Sequence, residues 1–319
     1  IEKKELELWQ QGKRISLELL KNMLTTQENN SSFISFFKQE VTNSSLKNST
    51  KRNHLSTLML LQEFKKDITF SDLTFEFVSS FEYFLQLKGY HTNTIAKHMK
   101  HLKRHVNIAI NKEYIEIQKY AFRKYKIKTV ENKHTHLVPE ELEKLEKLNL
   151  SGRYMKLQKS LDAFLFCCYA GMRYSDFTNL SSENIVDINQ ETWLIYKSVK
   201  TGTEVRLPLY LLFAGKGIII LNKYRDNLEG FFRLRDNSNV NKDLLTLAKL
   251  AGLSKNISFH TARHTNATLL IYNGVNITTV QKLLGHKSVK TTQVYTNIMD
   301  MTIIHDLEKM KQATPFAGK

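Results

Sequence analysis

Leu283-Leu284-Gly285-His286-Lys287-Ser288-Val289-Lys290-Thr291-Thr292-Gln293-Val294-Tyr295 is the stretch that decides the fold of this 319-residue chain. A glycine after two leucines stops a helix, because glycine takes the left-handed backbone that a helix end requires. A histidine follows the stop, and a tyrosine stands nine residues beyond it. Further upstream, Ala170-Gly171-Met172-Arg173-Tyr174-Ser175-Asp176 has the same build: a glycine ends an apolar helix and an arginine follows at the break. Between them, just after Ile257-Ser258-Phe259, lies His260-Thr261-Ala262-Arg263-His264.

Working outward, helical periodicity dominates. Pro139-Glu140-Glu141 opens a helix, with proline in the first turn and acids at the positive end of the dipole, and helices continue to about Leu180. Thr192-Trp193-Leu194-Ile195-Tyr196 reads as a strand, Lys200-Thr201-Gly202-Thr203 as a turn, and Glu204-Val205-Arg206-Leu207-Pro208-Leu209 as the return strand. The remainder to about Met310 reads as helical, ending in an amphipathic segment from Met301 to Met310. From Phe33 to about Arg123 the pattern is also helical. Ser31 or Ser32 caps a first helix, Thr50 a second, Ser71 precedes a third that Gly89 ends, and Thr92 or Thr94 opens a fourth. That fourth helix buries Ile95, Met99, Leu102, Val106, Ala109 and Ile110, at spacings of three and four. The predicted organisation is a helical segment and linker over 1–30, a helical domain over 31–125, a linker over 126–136, and a second domain over 137–319. The fold class is mainly α with a small β-hairpin or sheet.

Charge narrows the partner. Lys and Arg number 47 against 31 acids, a formal net charge of +16, and such a field attracts a polyanion. Lys97, Lys100, Lys103 and Arg104 share the fourth helix with no acid between Lys97 and Lys112, a candidate phosphate-contacting face. His98, His101 and His105 also share it, but with no Cys or carboxylate among them they are a poor metal motif. No run approaches the roughly 20 apolar residues of a membrane span, and Ile1-Glu2-Lys3-Lys4 offers no secretory signal. The absence of an initiator Met reads as a fragment or a processed chain. The two cysteines, Cys167 and Cys168, are adjacent in an apolar helix and read as small buried hydrophobes.

The three segments together supply what cutting a phosphodiester without a metal requires. Negative charge grows on the non-bridging oxygens and must meet fixed cations; arginine does this with a planar fork. A nucleophile must attack in line, and a proton must reach the leaving oxygen. Taken singly, each residue has a plainer use: Arg173 could pair with Asp176, His286 could finish a helix, and Tyr295 could be one of thirteen packed tyrosines. The ordered set is far more specific than any member.

In that order and at those spacings the segments resemble the signature of the tyrosine recombinases, the family of lambda-type integrases, Xer resolvases, Cre and Flp. His260 and Arg263 are three residues apart, Arg263 and His286 are 23 apart, and His286 and Tyr295 are nine apart. Lys200, in the hairpin turn, matches the family's catalytic lysine, with Lys197 its rival. The general style of the chain resembles integrases of Bacteroides-type mobile elements. The resemblance implies that Tyr295 attacks the scissile phosphate and forms a 3′-phosphotyrosyl link, releasing a 5′ hydroxyl. Arg173, Arg263 and His286 would hold the phosphate oxygens, and Lys200 would protonate the leaving oxygen. His260 would assist proton transfer, as base or hydrogen-bond partner of the tyrosine, and Asp176 would brace Arg173 or simply cap a helix. It implies double-stranded DNA as partner, a homotetramer on paired sites, no metal, no nucleotide cofactor, and action in the bacterial cytoplasm on the nucleoid. The alternatives that keep DNA as partner are a type IB topoisomerase-like enzyme and a non-catalytic architectural protein.

Overall fold

The computed structural model describes residues 32–131 and 134–295. The expected helices over 1–24 and Met301–Met310 lie outside the described residues. The chain divides into two compact units, one up to Asn132 and one from Lys133.

The first unit holds α1 (Phe33–Asn43), α2 (Asn48–Phe64), α3 (Phe75–Leu87) and α4 (Thr92–Asn111). Ser32 caps α1 by accepting the Ser35 N–H at 3.2 Å. Phe33, Phe37, Leu61, Val78, Phe81, Met99, Leu102 and Val106 form its core. Helix α4 begins at Thr92, one of the two expected starts. Two other expected starts shift. Helix α2 begins two residues before Thr50, after Lys47. Helix α3 begins at Phe75 and is capped by Thr74, not Ser71. The cause is local: Asp72 accepts from the Thr69 N–H at 2.8 Å and closes a 3₁₀ turn over Phe70–Asp72, which uses up Ser71. Beyond α4 the expected helical pattern gives way to a short 3₁₀ turn at Ile117–Lys119. Part of the expected linker is tied down here: Val130 donates its N–H to Asn93 Oδ1 and accepts from Asn93 Nδ2.

In the second unit α5 (Pro139–Glu146) precedes α6 (Gln158–Ala170), the central helix, buried throughout from Ser160 to Ala170. Cys167 and Cys168 are fully buried there, and burial drives both thiols well above their usual range. After the single turn of α7 (Tyr174–Phe177) comes a three-stranded antiparallel sheet: β1 (Ile185–Ile188), β2 (Glu191–Lys197) and β3 (Glu204–Pro208). The hairpin expected from sequence is β2–β3, with Leu194 opposite Leu207 and Lys197 opposite Glu204. Strand β1 was not expected. It joins β2 through Asn189 and Gln190, both at positive φ (52° and 66°), the backbone signs of a tight hairpin turn that usually shows an Asn-Gly pair. Then follow α8 (Lys216–Lys223), α9 (Leu228–Phe232), α10 (Asn237–Leu250), α11 (Phe259–Tyr272), α12 (Ile277–Leu284) and the short α13 (Lys290–Gln293). Helix α11 packs along α6. Among the described residues no helix is long and apolar enough to cross a membrane.

Candidate active site

The site begins with two helix ends. Helix α6 stops at Gly171 (φ +67°) and α12 stops at Gly285 (φ +61°), both left-handed. Side chains are barred there by space as well as by φ. A Cβ on Gly171 would lie 2.6 Å from Asn266 Oδ1, and one on Gly285 would lie 2.7 Å from a Val205 methyl. Each stop turns the chain sharply, and a candidate catalytic residue stands just past it: Arg173 two positions after Gly171, His286 one after Gly285.

Arg263 fastens the two ends together. It comes from α11, is 1% exposed, and donates from Nη1 to the Gly171 carbonyl at 2.7 Å and from Nη2 to the Leu284 carbonyl at 2.5 Å. The last carbonyls of a helix carry its negative dipole end, so they suit a cation. Asn266, one turn further along α11, donates to the Cys168 and Tyr169 carbonyls at 3.0 Å each, completing the end of α6.

The hairpin reaches the same place. Thr201 donates its hydroxyl to the Gly285 carbonyl at 3.3 Å, which places the turn bearing exposed Lys200 beside the end of α12. Asp176 is the brace beneath. Its carboxylate, fully buried, accepts from the Val199 N–H at 2.9 Å, from Ser198 Oγ at 3.3 Å, and from Arg173 Nη1 at 3.3 Å. It therefore does more than finish a helix: it joins Arg173 to the hairpin. Ser198, which also accepts from Arg173 Nη1 at 3.2 Å, was not singled out from sequence.

His286 is clamped by its surroundings. Its Nδ1 lies 2.9 Å from Thr292 Oγ1, and Gln281 Nε2 donates to its carbonyl at 3.0 Å. Tyr295 is buried, its ring parallel to that of His286 with centroids 6.4 Å apart. Its hydroxyl lies 3.1 Å from Nδ1 of His264, not of His260. His260 is exposed, one turn earlier on α11, with its ring edge-on to His264 at 4.5 Å. No part of the sequence reading gave His264 a role. The signal was its position four residues after His260, on the same helix face.

Electrostatics bind the set into one site. Burial, then the charges of Arg263, Arg173, His260 and Lys200, hold His286 down at about 3. Desolvation by the atoms packed about its ring, although its surface reaches solvent, then the charges of Arg263, Arg173 and Lys200, lower His260 to about 4. Even Arg263 is lowered to about 10, by burial and then by Arg173. The Tyr295 phenol is raised by burial, against the pull of Arg263 and Arg173. Arg263 and Arg173 thus act on His260, His286 and Tyr295 alike, and Lys200 acts on the two histidines, so these groups share one electrostatic environment.

The candidate DNA-binding residues sit in the first unit. Lys97, Lys100 and Arg104 are exposed on α4, and Lys100, Lys103 and Arg104 line a shallow groove with Asn107 and Asn111. Lys103 also lies over the Phe122 ring. The histidines of the same helix turn inward. His98 and His101 each place Nδ1 2.8 Å from Thr57 Oγ1, and His105 stacks on Phe37 at 3.6 Å. Among the described residues no group of three or more His, Cys, Asp or Glu is placed to hold a metal ion.

Comparison with known proteins places this architecture. A tyrosine recombinase of Pseudothermotoga lettingae is 31% identical over 55% of this chain, which spans 60% of that protein's length. The tyrosine recombinase XerD of Oceanobacillus iheyensis is 26% identical over 78% of this chain and 86% of that protein. The fold is that of lambda integrase, solved as a tetramer bound to a Holliday junction: TM-score 0.68 and 19% identity, over 85% of this chain and 80% of that one. Residues 32–127 match the phage integrase SAM-like domain. Residues 136–301, more than half of the chain, match the phage integrase family, and the chain belongs to that family.

Proposed function

We propose that this chain is a site-specific DNA recombinase that cuts and rejoins strands through a 3′-phosphotyrosyl intermediate, with Tyr295 as nucleophile. The observation that carries the reading is that Arg173, Arg263 and His286 lie about one buried phenol, with His260 and Lys200 acting on His286 and Asp176 as the bracing carboxylate. The fixed charges of Arg173, Arg263 and Lys200, with neutral imidazoles as hydrogen-bonding groups, stabilise a pentavalent phosphorane best where water is scarce.

In the proposed reaction the Tyr295 oxygen attacks phosphorus as its proton passes to His260 acting as base. Arg173, Arg263 and His286 bear the charge on the non-bridging oxygens. With Nδ1 engaged by Thr292, His286 has Nε2 left for the phosphate. The bond to the 5′ oxygen breaks as Lys200 delivers a proton to it. The ester formed with the phenol retains most of the free energy of the ester broken. A 5′ hydroxyl can therefore attack it and reseal a strand without ATP. The partner is duplex DNA, with Lys97, Lys100, Lys103 and Arg104 on backbone phosphates, acting as a homotetramer on paired sites on the bacterial nucleoid.

The test uses nicked suicide duplexes made from the source genome, resolved on a denaturing gel. Tyr295→Phe abolishes the covalent adduct while its DNA affinity stays within about threefold, since one hydroxyl contributes little to a salt-dependent interface. An adduct formed by the Phe variant ends the assignment.

A further inference from the structure

The phenol's hydrogen-bond partner is not among the groups that the chemistry above uses. His264 is 8% exposed and lies on α11 directly after Arg263, so the helix that fixes the phosphate-binding guanidinium also fixes this ring. One ring atom, Nδ1, faces the Tyr295 hydroxyl at 3.1 Å. The ring of His134 stacks on it with centroids 4.4 Å apart and planes 29° apart. His134 is itself held: two residues on, Lys255 donates to the His136 carbonyl at 3.2 Å, and the Leu137 N–H donates to Thr265 Oγ1 at 3.0 Å, next to His264 on α11.

We infer that His264 is a positioning residue for the nucleophile: its Nδ1 orients the Tyr295 hydroxyl beside the cation cluster, and His134 acts through it by fixing the plane of its ring. Burial, then His260, His134 and Arg263, keep the His264 imidazole neutral, with its pKa near 3. A neutral ring can pair with the phenol without adding to the positive charge. A side chain that can turn about Cβ lets the hydroxyl wander by more than the few tenths of an ångström that in-line attack tolerates. The inference rests on Tyr295 being the nucleophile.

The test measures the single-turnover rate of adduct formation on the same nicked duplexes at saturating DNA, together with the dissociation constant, for the full chain. His264→Ala lowers the rate about 10- to 100-fold with affinity within about twofold, because the loss lies in orientation rather than binding. His264→Asn recovers it to within about threefold of the parent, since an Asn amide places a polar atom where Nδ1 sits. His134→Ala costs a smaller, severalfold loss. The double variant His134→Ala/His264→Ala is no slower than His264→Ala alone, because one residue acts through the other. A parental rate in His264→Ala, equal losses in the Ala and Asn variants, or additive losses in the double variant each overturn the inference. Should His264→Ala fold poorly by its thermal melt, the Asn and His134 variants decide alone. Tyr295→Phe runs in parallel: an adduct there defeats the nucleophile assignment, whereas a null result beside an unaffected His264→Ala defeats only the positioning role.

Discussion

Two groups of four histidines, one in each unit, show how company decides what a residue does. In the helical unit His54, His98, His101 and His105 crowd between α2 and α4. His54 stacks on His101 at 4.0 Å, His105 on Phe37 at 3.6 Å, and the Thr57 hydroxyl bridges two rings. In the catalytic unit His134, His260, His264 and His286 surround a phenol and two guanidinium groups. Burial depresses members of both groups. In the first, His98 and His105 sit at about 4 and His101 at about 3, with burial the leading cause in all three. In the second, the charges of Arg263 and Arg173 come next after burial for His260 and His286. The first group is core built from imidazoles; the second is a cation site that an anion would relieve.

The sharpest way to break this contrast is Arg263→Ala. Removing the guanidinium strips charge from the site and leaves the Gly171 and Leu284 carbonyls without their partner. The expected loss of adduct formation is about 10³-fold or more, with a stability loss of about 1–3 kcal/mol for each orphaned carbonyl. Suicide-substrate rates and chemical denaturation read the two effects separately. A variant that keeps half of its cleavage rate removes Arg263 from the phosphate site.

Acid sharpens the comparison next. Each depressed imidazole is neutral in the folded chain but takes up a proton near pH 6.5 in the unfolded one. The unfolded state therefore binds more protons from about pH 6.5 down to about 4, or about 3 for His101, so stability is full above 6.5, falls across that window and levels off below it. Of the charges that face the first group, Lys97 and Arg104 deepen the depression and Glu40 opposes it, but burial leads. Hydrogen exchange of peptides from α2 and α4 should quicken from pH 7 to pH 5, even after correction for intrinsic rates. Inorganic phosphate at constant ionic strength should protect peptides from α11 and α12 but not those from α2 and α4. Equal protection of both sets would erase the distinction.

The smallest effect belongs to the surface of α4. Lys100→Ala should weaken DNA binding severalfold and reduce the slope of log affinity against log salt by about 1. The adduct rate at saturating DNA should be unchanged. An unaltered salt slope takes Lys100 off the DNA face.

What the sequence made legible follows the same physics. Gly171 and Gly285 could be read because a left-handed helix stop leaves few alternatives to glycine, and the residues after such stops are displayed by the turn itself. Helix α4 was legible through its apolar period. Strand β1 was not, because four residues closed by Asn189 and Gln190 lack the glycine that advertises a tight turn. The start of α3 was misplaced because Asp72 folds back on Thr69, a choice made by one side-chain bond. The partners of Arg263 were out of reach for another reason: it binds backbone carbonyls, one of them 92 residues away, and a carbonyl has no sequence signature. His264 stood in plain view beside Arg263, yet only packing reveals which imidazole of α11 faces the phenol.

Arg263 also settles when the ordering of the site takes place. Two of its donor groups are committed to backbone carbonyls, so in the proposed reaction its long side chain has little rotational freedom left to surrender to a phosphate. The entropic cost of aligning that cation is met as the chain folds, not at each encounter with DNA. Affinity at this position is thereby preorganised, and anything that frays the ends of α6 or α12 would surface first as slower chemistry, while the protein still looked folded.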